Sequence, residues 1–322
     1  MIKNIEFYIV ELQNMINREL VNLPIPDYPN SLYNPVNYSL KTKGKRIRPI
    51  LTFIIGQGFG ATIEQLFPAA LAIEILHTYT LVHDDIMDND DMRRGLETVH
   101  KKWNINTAIL SGDAINTLAF RLLMNTNSPN LQKIGIEFTD GMLEICEGQA
   151  MDMEFENRID VGLDEYITMI TKKTARLLSM SCKIGGYIAG CDEHTISELS
   201  NFAIKTGQAF QIQDDLLEVL STQAEMGKSL GSDFASEKKT YPMLLTLSKM
   251  NPEEKKDFLT FLKKNPDINE VRRIFINSGS IDNAKSKIEK LSNEAIGHLQ
   301  VCQNETQKTL LELINYLQIR KS

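Results

Sequence analysis

The sequence has few residues that break helices and few patterns that build sheets. None of its ten prolines lies between Pro129 and Pro242. Apolar residues recur in this stretch at helical spacing, for example at Ile167, Ile170, Leu177, Met180 and Ile184. Strand-like alternation and β-hairpin signals are nearly absent. We therefore expect long helices and an all-α protein.

Net charge, apolar run length and cysteine spacing each argue against a class of protein or site. The formal net charge is −7, which disfavours nucleic acid as a partner. No uninterrupted apolar run reaches the roughly 18 residues of a membrane-spanning helix, and the first residues lack the basic-then-apolar order of a signal peptide. The four cysteines have no metal-ligand spacing. Cys182 and Cys191 are a conceivable pair, but free thiols in a cytoplasmic protein are the expected state.

The length of 322 residues allows two domains, but nothing in the chain marks a boundary. There is no internal repeat, low-complexity tract or long linker. The proline-rich residues 23–35 predict a loop after a first amphipathic helix at about residues 3–21. The more charged segment after Pro242 predicts outer helices of the same domain. We therefore expect one domain that spans residues 1–322.

Two acidic clusters are the most informative feature of the chain. We call them the first acidic cluster (Asp84, Asp85 and Asp88) and the second acidic cluster (Asp214, Asp215 and Glu218). Because a helix turns by about 100° per residue, positions i and i+4 share a face and i+1 flanks it. Like charges this close raise each other's pKa values unless a cation lies between them. One such cluster is usually a solvated face, but two predict Mg²⁺ ions that hold a diphosphate.

Basic residues surround both clusters in this acidic protein. They are Lys45, Arg48, Arg93, Arg94, Lys173, Lys228 and Lys238. Lysine binds phosphate as a point charge and arginine as a bidentate fork. His77 lies about two helical turns before Asp84, on the same face. The combination favours a site for more than one polyanion, some held through metal and some through cations directly.

The ordered motifs resemble the trans-isoprenyl diphosphate synthases of the polyprenyl synthetase family. The matching segments are Gly44–Pro49, His77–Asp88, Arg93–Gly95, Gly148–Asp152, Lys173–Thr174, Phe210–Asp215, Gly227–Lys228, Gly231–Asp233 and Lys238–Thr240. The resemblance implies an all-α, isoprenoid synthase-type helical bundle around a deep central cavity, usually as a homodimer. It also implies a reaction in which an allylic diphosphate ionises and the alkene of isopentenyl diphosphate attacks the resulting carbocation.

The resemblance assigns roles residue by residue. The implied ligands of Mg²⁺, with about three ions in the substrate-bound state, are Asp84, Asp85, Asp88, Asp214 and Asp215. The implied contacts of the allylic diphosphate are Arg93, Lys173 and Lys238, with Lys228 nearby. The implied contacts of the isopentenyl diphosphate, which needs no metal, are Lys45, Arg48, His77 and Arg94. The implied carbocation-stabilising oxygens belong to Thr174 and Gln211, with Gln149 nearby.

Product length is a separate question. Tyr79 occupies the position where an aromatic residue forms the cavity floor in short-chain members of the family. This favours geranylgeranyl diphosphate (C20), next farnesyl diphosphate (C15), and leaves a longer product open. A straight helix places Tyr79 about 140° from Asp84, so its inward direction rests on the resemblance. Two residues depart from the family pattern: Glu218 replaces the usual Asp, and Glu237 stands where Gly is common.

Two other functions on a related fold remain open alternatives. A class I terpene cyclase has an Asn/Asp, Ser/Thr, Glu triad as its second motif, which the residues after Asp214 do not match. It also has no use for Lys45 and Arg48 at a second diphosphate. A non-catalytic partner subunit typically loses one acidic cluster, and both are present here. The prenyltransferase is therefore the favoured prediction.

Overall fold

The computed structural model describes residues 5–220, 238–264 and 266–318. The chain divides into two compact units, each made of several segments. The first unit comprises Met1–Thr139, Met180–Leu199 and Cys302–Leu310, and the second comprises Asp140–Ser179, Ser200–Val301 and Leu311–Ser322. Compactness alone does not decide whether either unit folds alone, so the single domain stays a prediction.

Helices make up most of the described residues, which confirms the predicted all-α class. The described helices, numbered in chain order, are α1 (Ile5–Val21), α2 (Asn30–Leu40), α3 (Ile47–Gly58), α4 (Ile63–Met87), α5 (Val99–Lys102), α6 (Ile105–Leu123), α7 (Leu131–Glu156), α8 (Leu163–Ile170), α9 (Arg176–Ile188), α10 (Glu193–Leu220), α11 (Tyr241–Ser248), α12 (Pro252–Leu262), α13 (Ile268–Asn277), α14 (Ser280–Gly297) and α15 (Asn304–Gln318). A π-helical turn, Thr171–Ala175, separates α8 from α9, and a 3₁₀ turn, His298–Val301, follows α14. The two-residue strands β1 (Met92–Arg93) and β2 (Leu96–Glu97) pair antiparallel.

The proline pattern predicted the helices with one error. The proline-free stretch contains the long helices α7 and α10, of 26 and 28 residues. The loop predicted for residues 23–35 was wrong at its end, because α2 begins at Asn30 and includes Pro35. Pro35 is buried together with Val36 and Leu40. Burial of this apolar face offsets the backbone hydrogen bond that a proline inside a helix forgoes.

Helix α4 is the central helix of the first unit and carries the first acidic cluster at its end. It begins with a capping box, in which Thr62 and Gln65 exchange side-chain to backbone hydrogen bonds. Every residue from Ala69 to Leu76 is buried, and α4 packs against α3 and α6. This is also the one described helix apolar enough to cross a membrane, and 61% of its apolar window is buried in protein, as in a core helix.

The second unit has an apolar core of its own. Side chains of α8, α10, α11, α13 and α14 meet there, and the most deeply buried include Tyr166, Ile212, Met243 and Phe275. Full burial of such a side chain stabilises a fold by about 1.5–3 kcal/mol. The packing fixes α8 and α10 beside each other. Helix α10 carries the second acidic cluster, and the π turn follows α8.

Candidate active site

A buried ion pair anchors the basic loop of the first unit. The Arg46 guanidinium donates to Glu74 Oε1 at 2.6 Å and to Asn17 Oδ1 at 2.9 Å, and both charged side chains are almost fully buried. The Arg46 backbone has a φ of 53°, in the left-handed region that non-glycine residues rarely adopt. The ion pair therefore ties the loop that carries Lys45, and with it the first turn of α3 that carries Arg48, to the middle of α4.

Arg48 and His77 form the centre of a cationic cluster beside this loop. Arg48 Nη1 lies 3.0 Å from His77 Nε2. Because arginine only donates, His77 accepts at Nε2 and is a neutral imidazole with its proton on Nδ1. Burial and the neighbouring arginines hold the pKa of His77 well below its ordinary value. Burial also lowers the pKa of Arg48 to about 10, which still leaves it charged at neutral pH.

Arg94 completes the cluster. Its guanidinium lies over Gly44, where a Cβ atom would stand 2.7 Å from Arg94 Nη1. Arg48 Nε is buried and has no hydrogen-bond partner in the described structure. Of the residues predicted to bind the isopentenyl diphosphate, the structure thus brings Arg48, His77 and Arg94 together. Lys45 lies on the same loop with an exposed side chain.

The first acidic cluster lies at the C-terminal end of α4, where the chain turns into β1. Asp85 is buried and accepts from Arg93 Nε at 2.7 Å, and Arg93 Nη2 also contacts Asp90 at 2.9 Å. Burial raises the pKa of Asp85 to about 6, with Arg93 opposing the shift and the carboxylates of Asp90 and Asp84 adding to it. An added cation would relieve this repulsion among carboxylates.

No metal cage is preformed by protein groups in the parts of the chain that the structure describes. There, no three His, Cys, Asp or Glu side chains are placed to hold an ion. Mg²⁺ usually keeps several waters and takes one or two carboxylates plus substrate phosphates, so a protein-only cage is not required. Metal binding by Asp84, Asp85, Asp88, Asp214 and Asp215 stays a prediction.

In the second unit, Lys173 and Thr174 lie in the π turn between α8 and α9. Two glycines let neighbouring helices approach this turn. A Cβ atom on Gly148 would stand 2.3 Å from the backbone nitrogen of Lys173, and one on Gly207 would stand 2.5 Å from Ala175 Cα. Such distances essentially never occur, so both positions require glycine. Single π-helical turns inside α-helices are frequent at functional sites.

A chain of hydrogen bonds links the predicted carbocation-stabilising residues to the second acidic cluster. Thr174 Oγ1 donates to Gln211 Oε1 at 2.9 Å, and Gln211 Nε2 donates to Asp215 Oδ1 at 3.1 Å. Asp215 Oδ2 accepts from the Tyr166 hydroxyl at 2.5 Å and from the Tyr241 backbone N–H at 2.8 Å. Burial and the Asp215 charge hold the pKa of Tyr166 well above its ordinary value, so its hydroxyl stays a donor.

These side chains line a pocket within the second unit. Its other polar walls are Asp152, Lys173, Lys238, Lys239 and Thr240. Lys173 Nζ lies 2.6 Å from Asp152 Oδ2. Two lysines predicted for the allylic diphosphate, Lys173 and Lys238, therefore share one pocket with Thr174 and Gln211. Lys228 and Glu237 lie outside the described residues.

The Tyr79 ring packs against the next turn of its own helix. Its ring centroid lies 4.6 Å from that of His83. His83 in turn packs on α6, where a Cβ atom on Gly112 would stand 2.1 Å from His83 Nε2. The structure thus fixes the Tyr79 ring against a packed neighbour, and its role as a cavity floor stays a prediction.

Sequence reasoning missed three residues that hold this site together. Glu74 is the lone acid in the apolar run of α4, and that isolation was a usable signal. Asp152 closes the Gly148–Asp152 segment, four residues after the glycine that approaches Lys173. Tyr166 carried no signal, because its partner Asp215 is distant in the chain.

Comparison with known proteins points to one family by three routes. The family described as polyprenyl synthetase matches residues 29–277. The chain is 40% identical over 299 residues to the geranylgeranyl diphosphate synthase of Sulfolobus acidocaldarius, covering 91% of this chain and 90% of that protein. It is 39% identical over 300 residues to the short chain isoprenyl diphosphate synthase of Methanocaldococcus jannaschii, with the same two coverages, 91% and 90%.

A solved structure points to the same family. A crystal structure of geranylgeranyl pyrophosphate synthetase from Pyrococcus horikoshii Ot3 matches with a TM-score of 0.90 at 33% identity, covering 98% of each chain. This likeness confirms the isoprenoid synthase type of helical fold. With the family match covering most of its length, the chain belongs to the polyprenyl synthetase family.

Proposed function

We propose that this protein is a prenyltransferase that condenses isopentenyl diphosphate with an allylic diphosphate, head to tail, into a short-chain trans-prenyl diphosphate. One observation carries the proposal. Helix α4 presents two different kinds of anion site: the carboxylates of Asp84, Asp85 and Asp88 at its end, and His77 beside Arg48 two turns earlier. The first kind suits a diphosphate held through metal, and the second suits one held directly by arginine beside the neutral His77.

The proposed reaction needs no nucleophile from the protein. The C1–O bond of the allylic diphosphate breaks, and its electron pair leaves with the diphosphate. The π electrons of the isopentenyl alkene then form the new C–C bond to C1. Loss of a proton from C2 of the isopentenyl unit restores an alkene, and the departing diphosphate accepts this proton. The residues of the chain therefore bind, orient and stabilise charge.

The carboxylates of the acidic clusters fit Mg²⁺. They are hard oxygen donors, and burial raises the pKa of Asp85 to about 6, with smaller contributions from the carboxylates of Asp90 and Asp84 that a bound cation would offset. We propose Asp84, Asp85, Asp88 and Asp214 as its ligands. When bound, Mg²⁺ neutralises the charge that develops on the leaving diphosphate. About three ions in the substrate-bound state remain our expectation.

The remaining side chains either contact the allylic diphosphate or stabilise the carbocation. Arg93, Lys173 and Lys238 contact the allylic diphosphate in this proposal. The Thr174 and Gln211 oxygens, linked at 2.9 Å in the pocket of the second unit, stabilise the carbocation. Preorganised dipoles of this kind act without reorganisation at the moment of reaction.

Geranylgeranyl diphosphate is the product that we propose, with farnesyl diphosphate next. The Sulfolobus acidocaldarius and Pyrococcus horikoshii proteins named above support the C20 product by their names. Tyr79, held against His83, is the proposed floor of the cavity.

We also propose a cytoplasmic homodimer. All four cysteines are free thiols, as suits a reducing compartment. Helix α6 exposes Ile105, Ile109, Leu110 and Phe120. An exposed apolar patch of this kind marks an interaction surface, and the partner proposed here is a second copy of the chain.

Binding of isopentenyl diphosphate without metal distinguishes the proposed prenyltransferase from a cyclase, because a cyclase has no second diphosphate site. Calorimetric titration in EDTA should show binding to the wild-type protein. Arg48→Ala should weaken it by at least about tenfold, since a charge-assisted contact contributes about 1.5–3 kcal/mol. Arg121→Ala, an exposed arginine of α6, should leave it unchanged. Equal affinity in the two variants, or no binding to the wild type, would refute the second diphosphate site.

A further inference from the structure

The Asp215 carboxylate faces the interior of the second unit. Oδ2 accepts from Tyr166 and from the Tyr241 backbone, and Oδ1 accepts from Gln211. The residue is 7% exposed. A Mg²⁺ ligand must place an oxygen about 2.0–2.1 Å from the ion in near-octahedral geometry. Three protein donors already engage this carboxylate, which does not fit the metal ligation that the sequence predicted for Asp215.

The same contacts fix the orientation of the Gln211 amide. A carboxylate only accepts, so the NH₂ end of Gln211 faces Asp215 and its oxygen faces Thr174. The Thr174 hydroxyl proton is then committed to Gln211, and the lone pairs of Thr174 Oγ1 stay available. Both residues line the pocket, so a cation bound there would meet oxygen lone pairs of Thr174 and Gln211 and not N–H or O–H groups.

Resting on the proposed function, we propose that Asp215 is a positioning residue and not a metal ligand. It orients Gln211, and through Gln211 also Thr174, so that two oxygens stabilise the carbocation. Metal ligation by the second acidic cluster then falls to Asp214, the half-buried neighbour of Asp215 on α10.

Asp215→Asn tests the orientation with little change of shape. The Asn carbonyl oxygen can keep the contacts to Tyr166 and Tyr241, but its NH₂ group then meets the NH₂ group of Gln211. Gln211 relieves this clash by turning its amide over, which brings N–H groups towards Thr174. Loss of one preorganised electrostatic contact costs about 10²–10³ in rate. We expect a fall of about 100-fold in the single-turnover rate, with unchanged affinity for both diphosphates.

Metal counting decides whether Asp215 is a ligand without any prenyl transfer. Bound Mn²⁺ would be counted by electron paramagnetic resonance in the presence of inorganic pyrophosphate. Asp215→Asn should bind as many ions as the wild type, and Asp214→Asn should bind fewer. A lower count in Asp215→Asn would overturn the inference. This result holds even if the wild type forms no prenyl product, which would instead refute the proposed function.

A double-mutant cycle shows whether Asp215 acts through Gln211. In a Gln211→Ala background, adding Asp215→Asn should cause no further fall in the single-turnover rate. If Asp215→Asn does not fold, Tyr166→Phe takes its place, because it removes one anchor of the carboxylate. It should slow the wild type several-fold and leave Gln211→Ala unchanged. A wild-type rate in Asp215→Asn, or an equal loss in both backgrounds, would contradict the inference.

Discussion

Single residues balance the buried charge of the first unit. Glu74 is the buried acidic partner of Arg46, and it also raises the pKa of Arg48 against the effect of burial. Its second oxygen, Oε2, has no hydrogen-bond partner in the described structure. One carboxylate therefore holds a loop of several cations, and the excess positive charge is left for an anionic substrate.

Replacement of Glu74 should destabilise the fold because it leaves Arg46 buried and uncompensated. Glu74→Gln is expected to cost about 3–5 kcal/mol of unfolding free energy, the range for breaking a buried ion pair. Urea unfolding measures this loss. Glu289→Gln removes an exposed acid from α14 and should change stability by no more than about 0.5 kcal/mol. Equal stability of the two variants would mean that the ion pair does not anchor the loop.

The pH dependence of the unfolding free energy should reflect the depressed pKa of His77. Its folded-state pKa is depressed, so below an unfolded pKa of about 6.5 the unfolded chain binds a proton that the folded protein does not. Stability therefore falls as pH decreases from about 6.5, by up to about 1.4 kcal/mol per pH unit from this group. His77→Asn should flatten the slope between pH 6.5 and 5, and His194→Gln, at the surface, should not. The same slope in both variants would show that His77 is not held neutral.

Substitution of Tyr79 tests whether this one side chain limits the length of the product. Tyr79→Ala should lengthen the main product by one or more C5 units, because it removes the proposed floor. Thr80→Ala, at the adjacent small residue, should leave the length unchanged. Chromatography of the dephosphorylated alcohols measures both. An unchanged distribution in Tyr79→Ala would place the floor elsewhere.

At the scale of elements, the π turn is the feature that positions Lys173 and Thr174. Helices α7 and α10 approach this turn closely at Gly148 and Gly207, where a side chain would clash with it. The sequence shows a Lys-Thr pair inside a helical pattern, but it does not show a π turn, because that geometry depends on helices distant in the chain. The left-handed backbone of Arg46 could not be predicted from the sequence for the same reason, because its partner Glu74 lies on a different helix.

Gly148→Ala should separate α7 from the π turn. The new Cβ atom would stand 2.3 Å from the Lys173 nitrogen, and overpacking of this kind costs about 1–3 kcal/mol. We expect lower stability and a lower rate of prenyl transfer. Gly135→Ala on the same helix meets nothing within 4 Å and should gain about 0.5–1 kcal/mol from helix propensity. Thermal unfolding compares the two, and a neutral Gly148→Ala would show that close approach is not required.

The sequence was a better guide to elements than to side-chain partners. Absence of proline predicted α7 and α10 because a helix interior excludes proline. Burial overrode the same rule at Pro35 in α2. The two acidic clusters were found because carboxylates at i, i+1 and i+4 lie together on a helix, and the basic residues were found because they surround these clusters in an acidic protein. Which donor each carboxylate meets, as for Asp215 and Tyr166, depends on packing that a single sequence does not encode locally.

For the whole molecule, the proposed chemistry draws on residues of both compact units. The first unit supplies the first acidic cluster and the cationic cluster around His77, and the second supplies the pocket with Lys173 and Gln211. In the proposed reaction the first set stabilises the leaving group, and the second set supplies oxygens to the carbocation.

The proposed homodimer makes a prediction at this scale. Leu110 is 61% exposed on α6, and Ile159 is 73% exposed in the second unit. Leu110→Glu should convert the dimer to a monomer, because it places a charge in the apolar interface. Ile159→Glu should remain dimeric. Light scattering after size-exclusion chromatography gives both masses, and a dimer in Leu110→Glu would exclude this face of α6.

The most direct test of the central claim is a product assay on the purified protein. Isopentenyl diphosphate would be supplied with Mg²⁺ and dimethylallyl, geranyl or farnesyl diphosphate in turn. We predict a linear C20 alcohol after dephosphorylation, lost in EDTA and in Asp84→Ala. A cyclic hydrocarbon formed without consumption of isopentenyl diphosphate, or no turnover of any starter, would contradict the account.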